Sequence, residues 1–130
     1  MESKVAIYTE LASEPIGPYS QAVQCGNLIF ISGQIPINPI TNELDNSSME
    51  AQVRRVFENI KAICHASNSD LQNILKVNLY LTNLQDFDIV NQVMQEYFQA
   101  PYPARACVEV SKLPKNVNFE AEAVLVLKNI

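Results

Sequence analysis

The sequence predicts an α+β fold with elements in the order β-β-α-β-α-β-β, in which two helices lie on one face of a mixed sheet. In several short segments apolar residues recur at every second position, which is typical of half-buried strands. In two longer segments they recur every three to four positions, which is typical of helices that pack on a sheet. A chain of 130 residues buries roughly two-thirds of its unfolded surface, so residues 1–130 are expected to form a single domain.

The first third of the chain predicts strands joined by a tight turn. The predicted elements are a short strand at residues 4–9, a loop at 11–18, strands at 20–25 and 28–34, and an exposed loop at 36–46. Gly26 and Asn27 separate the two longer strands, and both are expected to supply the positive φ values of a hairpin turn.

Two helices follow, with a strand at residues 75–81 between them. The first is expected to begin at Ser47, because Glu50 three residues later completes a capping box. Its apolar stripe consists of Met49, Val53, Val56, Phe57, Ile60 and Ile63. The second spans about residues 84–99, with Asn83 as its N-cap. Its buried residues are expected to be Phe87, Val90, Met94, Tyr97 and Phe98.

A strand with chemically useful side chains is predicted at residues 103–110. Its period of two places Arg105, Cys107 and Glu109 on one face, and Ala106, Val108 and Val110 on the other, which is expected to face the core. A planar guanidinium binds carboxylates bidentately, so Arg105 favours a small organic acid as ligand. The alternative is a surface ion pair between Arg105 and a glutamate, which would contribute little energy.

The last predicted strand, residues 117–127, has apolar residues at every odd position, and these form its core face. Glu120 and Glu122 lie on the other face, which continues with Val124 and Val126. If this strand pairs with the arginine strand, the guanidinium, the thiol and the carboxylates converge over one sheet surface and could catalyse proton transfer. Such a mixed apolar and polar face also indicates burial against another subunit.

Charge and composition argue against several classes of protein. The net charge is −5, from 14 acidic and 9 basic residues without a basic stripe, so nucleic acid is not an expected partner. No segment approaches the ~20 apolar residues of a membrane span, and no membrane partner is expected. Three cysteines without zinc-like spacing, and no apolar segment at the N-terminus, favour the cytoplasm. The one histidine, His65, favours helix capping over general-base catalysis.

Three segments resemble the signature segments of a known family. They are GPYSQA at residues 17–22, GNLIFISGQIP at residues 26–36, and residues 103–122, which begin with PAR. In this order and at these separations they are similar to the Rid family, also called the YjgF-like family, and the resemblance extends over nearly the whole chain. It implies a chorismate-mutase-like fold and a RidA-type homotrimer whose active sites lie between subunits and use no metal or organic cofactor.

The resemblance also implies an activity, the hydrolysis of reactive enamines and imines to 2-oxo acids and ammonia. The best-known members act on 2-aminoacrylate and 2-aminocrotonate through their imino tautomers, as 2-iminobutanoate/2-iminopropanoate deaminases. By the same resemblance, Arg105 would bind the substrate carboxylate, Glu120 would position or activate water, and Cys107 would line the pocket. The remaining substrate-binding residues would be Tyr19, Ser32, Gly33 and Asn91.

Several alternatives stay open on the sequence alone. Cys107 is either a nucleophile or a wall of the pocket, and Tyr19 is either a hydrogen-bond donor to substrate or a buried aromatic residue. An arginine cleft binds a carboxylate whether or not turnover follows, so the protein is alternatively a non-catalytic regulator that binds 2-oxo acids. An endoribonuclease or translation inhibitor is a further alternative, which the acidic charge disfavours.

Overall fold

The computed structural model describes residues 3–127, and the strands and helices expected from the sequence are present in it. The strands are β1 (Val5–Ile7), β2 (Ala22–Cys25), β3 (Leu28–Gln34), β4 (Ile74–Leu81), β5 (Ala104–Glu109) and β6 (Phe119–Val126). The helices are α1 (Met49–Ala66) and α2 (Phe87–Tyr97). Short 3-10 turns lie at Leu71–Asn73, Leu84–Asp86 and Pro114–Asn116. The predicted order is confirmed, with the short segment β1 added to it as a third strand before α1.

The six strands form one mixed sheet in the order β1-β2-β3-β6-β4-β5. Every neighbouring pair is antiparallel except β4 and β5, which run parallel because α2 provides the crossover between them. The last strand, β6, lies between β3 and β4 at the centre of the sheet. The glutamates of β6 are therefore held by a ladder on each side.

Both helices pack on one face of the sheet, as predicted. The odd-numbered residues of β6 from Phe119 to Leu125 are buried there, and so is the apolar stripe of α1 from Val53 onward. Phe57 is central to this core, since its ring lies 5.6 Å from that of Phe98 and 5.9 Å from that of Phe119. The helical and strand periods of the sequence thus identified most of the main core. On α2 they missed Val93, which is buried, whereas Phe87 and Tyr97 are only half-buried.

The N-terminus of α1 differs from the prediction by one residue. Ser48, and not Ser47, is the N-cap, and its hydroxyl oxygen accepts a hydrogen bond from the Ala51 amide at 3.0 Å. Glu50 does not complete a capping box, because its carboxylate pairs with Arg54 at 2.9 Å. An exposed i, i+4 ion pair has replaced the expected backbone contact.

Two further local predictions are refined. Asn83 does act as a cap, and its side chain accepts from the Gln85 amide at 2.9 Å, but it caps the 3-10 turn that leads into α2. In the hairpin turn only Gly26 adopts positive φ, at 61°, and Asn27 does not. A single glycine is sufficient for one of the two primed turn types, so the expectation for Asn27 was wrong.

The orientation of β5 is opposite to the one predicted. In the parallel ladder Arg105 lies beside Val77 and Cys107 lies beside Leu79, and both of these β4 residues are buried against the helices. Ala106 and Val108 therefore lie on the face away from the helices, where they are exposed. A period of two defines two faces of a strand but does not say which one meets the core.

No helix of residues 3–127 is long and apolar enough to cross a membrane. The sheet face opposite the helices carries large apolar groups that the described chain leaves uncovered. Phe30 is 51% exposed and Val108 is 47% exposed on this face. Val124 pairs with Phe30 in the ladder and lies beside it, close to Glu122. This surface is named the open face below.

Candidate active site

A cleft of about 470 Å³ lies where β3 and β6 meet the segment that precedes β2. Its polar lining includes Ser13, Glu14, Ser32, Glu120 and Glu122. Its apolar wall is formed by Ile16, Ile35, Ile37 and Pro114. Tyr19 and Gly33 complete the lining. Four of the residues expected at the substrate site, Tyr19, Ser32, Gly33 and Glu120, are thus brought together.

A β-bulge shapes the floor of this cleft. Ile31 pairs with Ala123 and Gln34 pairs with Ala121, so two residues of β3, Ser32 and Gly33, lie opposite Glu122 alone. At Gly33 the backbone approaches the Glu120 carboxylate so closely that a Cβ would overlap it. A side chain at this position would displace the Glu120 carboxylate from where it lies.

Glu120 and Glu122 lie on the same face of β6 but in different environments. Glu122 accepts hydrogen bonds from Asn78 and from the Tyr80 hydroxyl, each at 3.1 Å. Within residues 3–127 no donor bonds to Glu120, and its pKa is raised, mainly by burial and further by the charge of Glu122. Glu122 is therefore held in place by its neighbours, whereas Glu120 is available to water or a ligand.

Tyr19 and Ser32 have hydrogen bonds that fix them at the cleft wall. The Tyr19 hydroxyl accepts from the Ile16 amide at 3.2 Å and keeps its own proton for another acceptor. The ring is 45% exposed, so Tyr19 is not a buried aromatic residue. Ser32 donates its hydroxyl proton to the Ser20 carbonyl at 2.6 Å, which leaves its oxygen as an acceptor.

Arg105 lies on the helix side of the sheet edge, not in this cleft. Its Nη1 donates to the Asn91 side-chain oxygen at 2.6 Å, and its guanidinium carbon lies 4.9 Å from the centre of the Phe87 ring. Among residues 3–127 it forms no ion pair, so the alternative of a glutamate partner is not realised; the ion pairs there involve Arg54 and Arg55. The guanidinium lies over the Phe87 ring, and its exposed N–H groups can bind an anion.

Arg105 borders a second, smaller cleft of about 330 Å³. Asn91 and Met94 of α2 form one side of it, and Tyr102 and Pro103 form the other. Asn91, expected as a substrate-binding residue, therefore lies beside Arg105 and orients it. Both groups lie near the edge of the sheet, since β5 is its last strand.

Cys107 lies two positions beyond Arg105 on the same side of β5 and packs against the main core. Burial raises the pKa of its thiol, and the nearby Arg105 charge opposes that shift only partly. A raised pKa keeps the group a thiol near neutral pH, which makes it a weak nucleophile. This environment disfavours the nucleophile interpretation, and Cys107 is not among the residues that line either cleft.

The expected convergence of all site residues over one sheet surface does not occur within one chain. β5 pairs with β4 and not with β6, and Arg105 lies on the face opposite Glu120. The expected site residues thus lie in two separate groups, called half-sites below, one with Arg105 and Asn91 at the smaller cleft and one with Glu120 at the larger cleft. Sequence reasoning also missed Glu14 and the apolar wall of the second half-site; their only signal was their position in loops that flank the expected site residues.

The chain belongs to the Rid (YjgF-like) family, since the family model described as Endoribonuclease L-PSP matches residues 9–127. It is 44% identical over 128 residues to a 2-iminobutanoate/2-iminopropanoate deaminase of Dermatophagoides farinae, covering 98% of this chain and 100% of that protein. It is 50% identical over 122 residues to a RutC family protein of Pyrococcus abyssi, covering 94% and 96% of the two chains.

Solved structures agree with this assignment. The crystal structure of RidA from an Antarctic Psychrobacter species superposes with a TM-score of 0.92 at 45% identity, covering 95% of this chain and 99% of that one. The structure of Escherichia coli TdcF with bound serine has a TM-score of 0.88 at 41% identity, with the same coverage of 95% and 99%. The fold predicted from the sequence is the fold of these proteins.

Proposed function

We propose that this protein is a 2-iminobutanoate/2-iminopropanoate deaminase, which hydrolyses the imino tautomers of 2-aminocrotonate and 2-aminoacrylate to 2-oxo acids and ammonia. The observation that carries the proposal is the half-buried Glu120 carboxylate, which faces a cleft and accepts no hydrogen bond from residues 3–127. A carboxylate with a raised pKa is suited to take and return a proton near neutral pH. The similarity to the deaminase of Dermatophagoides farinae supports the choice of substrate.

The proposed reaction uses one water molecule and this carboxylate. Glu120 accepts a proton from water as the water oxygen bonds to the imine carbon. Glu120 then returns this proton to the nitrogen, which gives a carbinolamine. A second proton passes from the hydroxyl of the carbinolamine through Glu120 to the nitrogen, the C–N bond breaks, and ammonia leaves as the hydroxyl oxygen becomes the oxygen of the new C=O group. Imine hydrolysis is intrinsically easy, so positioning of water and substrate supplies most of the required acceleration.

The substrate carboxylate is assigned to Arg105, whose orientation by Asn91 and Phe87 leaves the rest of the guanidinium open. Because Arg105 and Glu120 lie on opposite faces of one sheet, both can act on one substrate only if Arg105 comes from a neighbouring subunit. A homotrimer with sites between subunits, which family membership suggests, meets this requirement. Its formation would also cover the open face.

The other residues have supporting roles in the proposal. Tyr19 donates its hydroxyl proton to the substrate, Ser32 and Gly33 form the floor beneath Glu120, and Cys107 is a wall of the pocket. No step uses a metal or an organic cofactor, and the expected cytoplasmic location fits the site where such imines are released.

The alternatives have weaker support from the site. A general base for an endoribonuclease would have to be sought at His65, which lies at the end of α1 on the other side of the sheet from Glu120. A 2-oxo-acid-binding regulator would need the Arg105 half-site but would not need an unpaired carboxylate. Only a measurement of imine turnover distinguishes such a regulator from the deaminase.

A coupled assay tests the proposal. A threonine or serine dehydratase generates the imine, and release of 2-oxobutanoate or pyruvate is followed with and without this protein. We expect faster release with the wild type, and a loss of about 10²–10⁴-fold in kcat for Glu120→Gln, which keeps the shape but cannot accept the proton. The matched control Glu122→Gln should be milder. Equal losses in both variants would indicate a structural role for the two carboxylates.

A further inference from the structure

The cleft that contains Glu120 carries more negative charge than the proposed reaction requires. Besides Glu120 and Glu122 it is lined by Glu14, and none of its lining residues is a lysine or arginine. Glu14 belongs to the loop before Tyr19, on the side of the cleft away from the sheet. The neighbouring cleft, which shares Ile16 and Ile37 with this one, contains Lys115, but Glu43 lies there as well.

Glu14 is held in place by a residue from the other end of the same segment. The hydroxyl of Tyr8 donates a hydrogen bond to the Glu14 carboxylate. The Gln21 side-chain amide anchors the segment between them. Its oxygen accepts a hydrogen bond from the Thr9 N–H, and its nitrogen donates to the Thr9 and Ser13 carbonyls. The backbone that leads to Glu14 is therefore anchored, and the Glu14 carboxylate itself is a solvent-exposed charge at the edge of the cleft.

Geometry leaves one part of the substrate for this wall. In the proposed function the substrate carboxylate lies at Arg105 and the imine carbon lies near Glu120. The side chain of the imino acid would then lie against the rest of the cleft lining, which includes Ile16, Ile35, Ile37 and Glu14. The isoleucines favour apolar side chains, and a second negative charge on the substrate would be repelled by the charge of Glu14.

We propose that Glu14 is a specificity-determining residue that excludes 2-imino acids with an acidic side chain and admits those with neutral side chains. This inference rests on the proposed deaminase function. Two like charges at the mouth of a partly desolvated cleft repel one another enough to change relative rates several-fold. The discrimination should weaken as salt is added, because the mouth of the cleft is exposed to solvent.

Competing imines provide the test. A flavoprotein amino-acid oxidase generates the imine of leucine or of glutamate, and kcat/KM for hydrolysis is measured for each. We expect the wild type to prefer the leucine imine by about tenfold or more. Glu14→Gln should lower that ratio several-fold, and Glu14→Lys should lower it further. The matched control Glu10→Gln, an exposed carboxylate of the same segment outside the cleft, should leave the ratio unchanged.

The outcomes separate this inference from the proposed function. An unchanged ratio in Glu14→Gln, in a wild type that hydrolyses both imines, would overturn the role of Glu14 and leave the deaminase intact. A wild type that hydrolyses neither imine, and that also fails to speed 2-oxo-acid release in the dehydratase assay, would overturn the deaminase. Calorimetric binding of 4-methyl-2-oxopentanoate and 2-oxoglutarate then decides the role of Glu14. A preference for the neutral acid that narrows in Glu14→Gln would support it, and equal binding, or no binding of either acid, would overturn it.

Discussion

At the scale of single residues, hydrogen-bond partners distinguish groups that look alike in the sequence. Glu120 and Glu122 are two positions apart on one strand face, yet Asn78 and Tyr80 hold only Glu122. Arg54 and Arg55 form ion pairs with carboxylates, whereas Arg105 is oriented by an amide, a thioether and an aromatic ring. Within residues 3–127, Glu120 has no hydrogen-bond donor and Arg105 has no carboxylate partner. These are the two groups that remain available to a ligand.

The pH dependence of activity should report the environment of Glu120. This carboxyl must be ionised to accept a proton, so activity falls as pH decreases through its pKa. Burial and the charge of Glu122 raise that pKa, so the acid limb of kcat/KM should lie above about pH 4.3, the ordinary value for glutamate. Glu122→Gln removes one of the two causes and should move the limb to lower pH. If the acid limb of kcat/KM lies at the same pH in Glu122→Gln as in the wild type, it reports the ionisation of a group other than Glu120.

Replacing Arg105 tests the carboxylate-binding role. Arg105→Lys should reduce kcat/KM by about two orders of magnitude, because one ammonium cannot reproduce the bidentate geometry or the contact with Phe87. The melting temperature should change little, since the side chain is exposed. Glu109→Gln, on the same face of β5, is a suitable control. Retention of most of the activity in Arg105→Lys would contradict the assignment.

At the scale of elements, a buried amide determines where one wall of the cleft lies. The Gln21 side chain is 1% exposed, and its three hydrogen bonds attach the segment of residues 9–13 to the start of β2. That segment has no regular secondary structure of its own, so its backbone depends on this side chain. Glu14 comes directly after this segment and Tyr19 lies a few residues further on, so the positions of both depend on how the segment is held.

Gln21→Leu should therefore affect both stability and substrate binding. Loss of the amide leaves buried backbone groups of Thr9 and Ser13 without partners, which costs about 1–3 kcal/mol in the free energy of unfolding. KM should rise more than kcat falls, because the displaced wall binds substrate and does not transfer the proton. The control is Gln24→Leu in the adjoining strand β2, whose side-chain amide donates one hydrogen bond, to the Gly26 carbonyl. Equal effects on KM in the two variants would rule out a positioning role.

At the scale of the whole molecule, the proposed association of subunits would account for both the open face and the separated half-sites. Phe30 and Val108 expose apolar surface on a sheet face that the helices do not cover. Within the described part of the chain, the Arg105 half-site has a cationic group for a substrate carboxylate but no carboxylate base, and the Glu120 half-site has the carboxylate but no cationic group. Association of identical subunits would bury the open face and join the half-sites.

Disrupting the open face should therefore reduce activity without unfolding the subunit. In Phe30→Asp a charge replaces an exposed ring, which a monomer tolerates but a buried interface does not. We expect light scattering to show dissociation, and the coupled assay to show a parallel loss of turnover. Ile40→Asp, a change at a 90% exposed residue in the loop after β3, is the control. A monomeric Phe30→Asp with full activity would show that each subunit has a complete site.

Mixing two inactive variants tests the shared site directly. Arg105→Ala and Glu120→Gln should each be inactive alone. If each site takes Arg105 from one subunit and Glu120 from another, co-expression gives mixed oligomers in which about a quarter of the sites are intact. Recovered activity near that fraction supports the arrangement. No recovery in oligomers shown to be mixed would place both residues of a site in the same chain.

The sequence alone determined the elements, the single domain and most of the core. The helical stripe of α1 and the strict alternation of β6 each have one apolar face, and one apolar face must meet the core, so Phe119 and Ala121 were assigned correctly. The family resemblance came from motifs that the chain carries in linear order. The same motifs supplied the site residues that are proposed for both half-sites, including Arg105 and Glu120.

Only the tertiary structure decided which strand β5 pairs with and which way it faces. Both faces of β5 are partly apolar, because one meets the helices and the other belongs to the open face, so its alternation does not identify the core side. Strand pairing is set by contacts between residues far apart in sequence, and β6 inserts between β3 and β4, so β5 remains at the edge. That placement carries Arg105 to the opposite side of the sheet from Glu120, and it is the physical reason why one chain holds two half-sites.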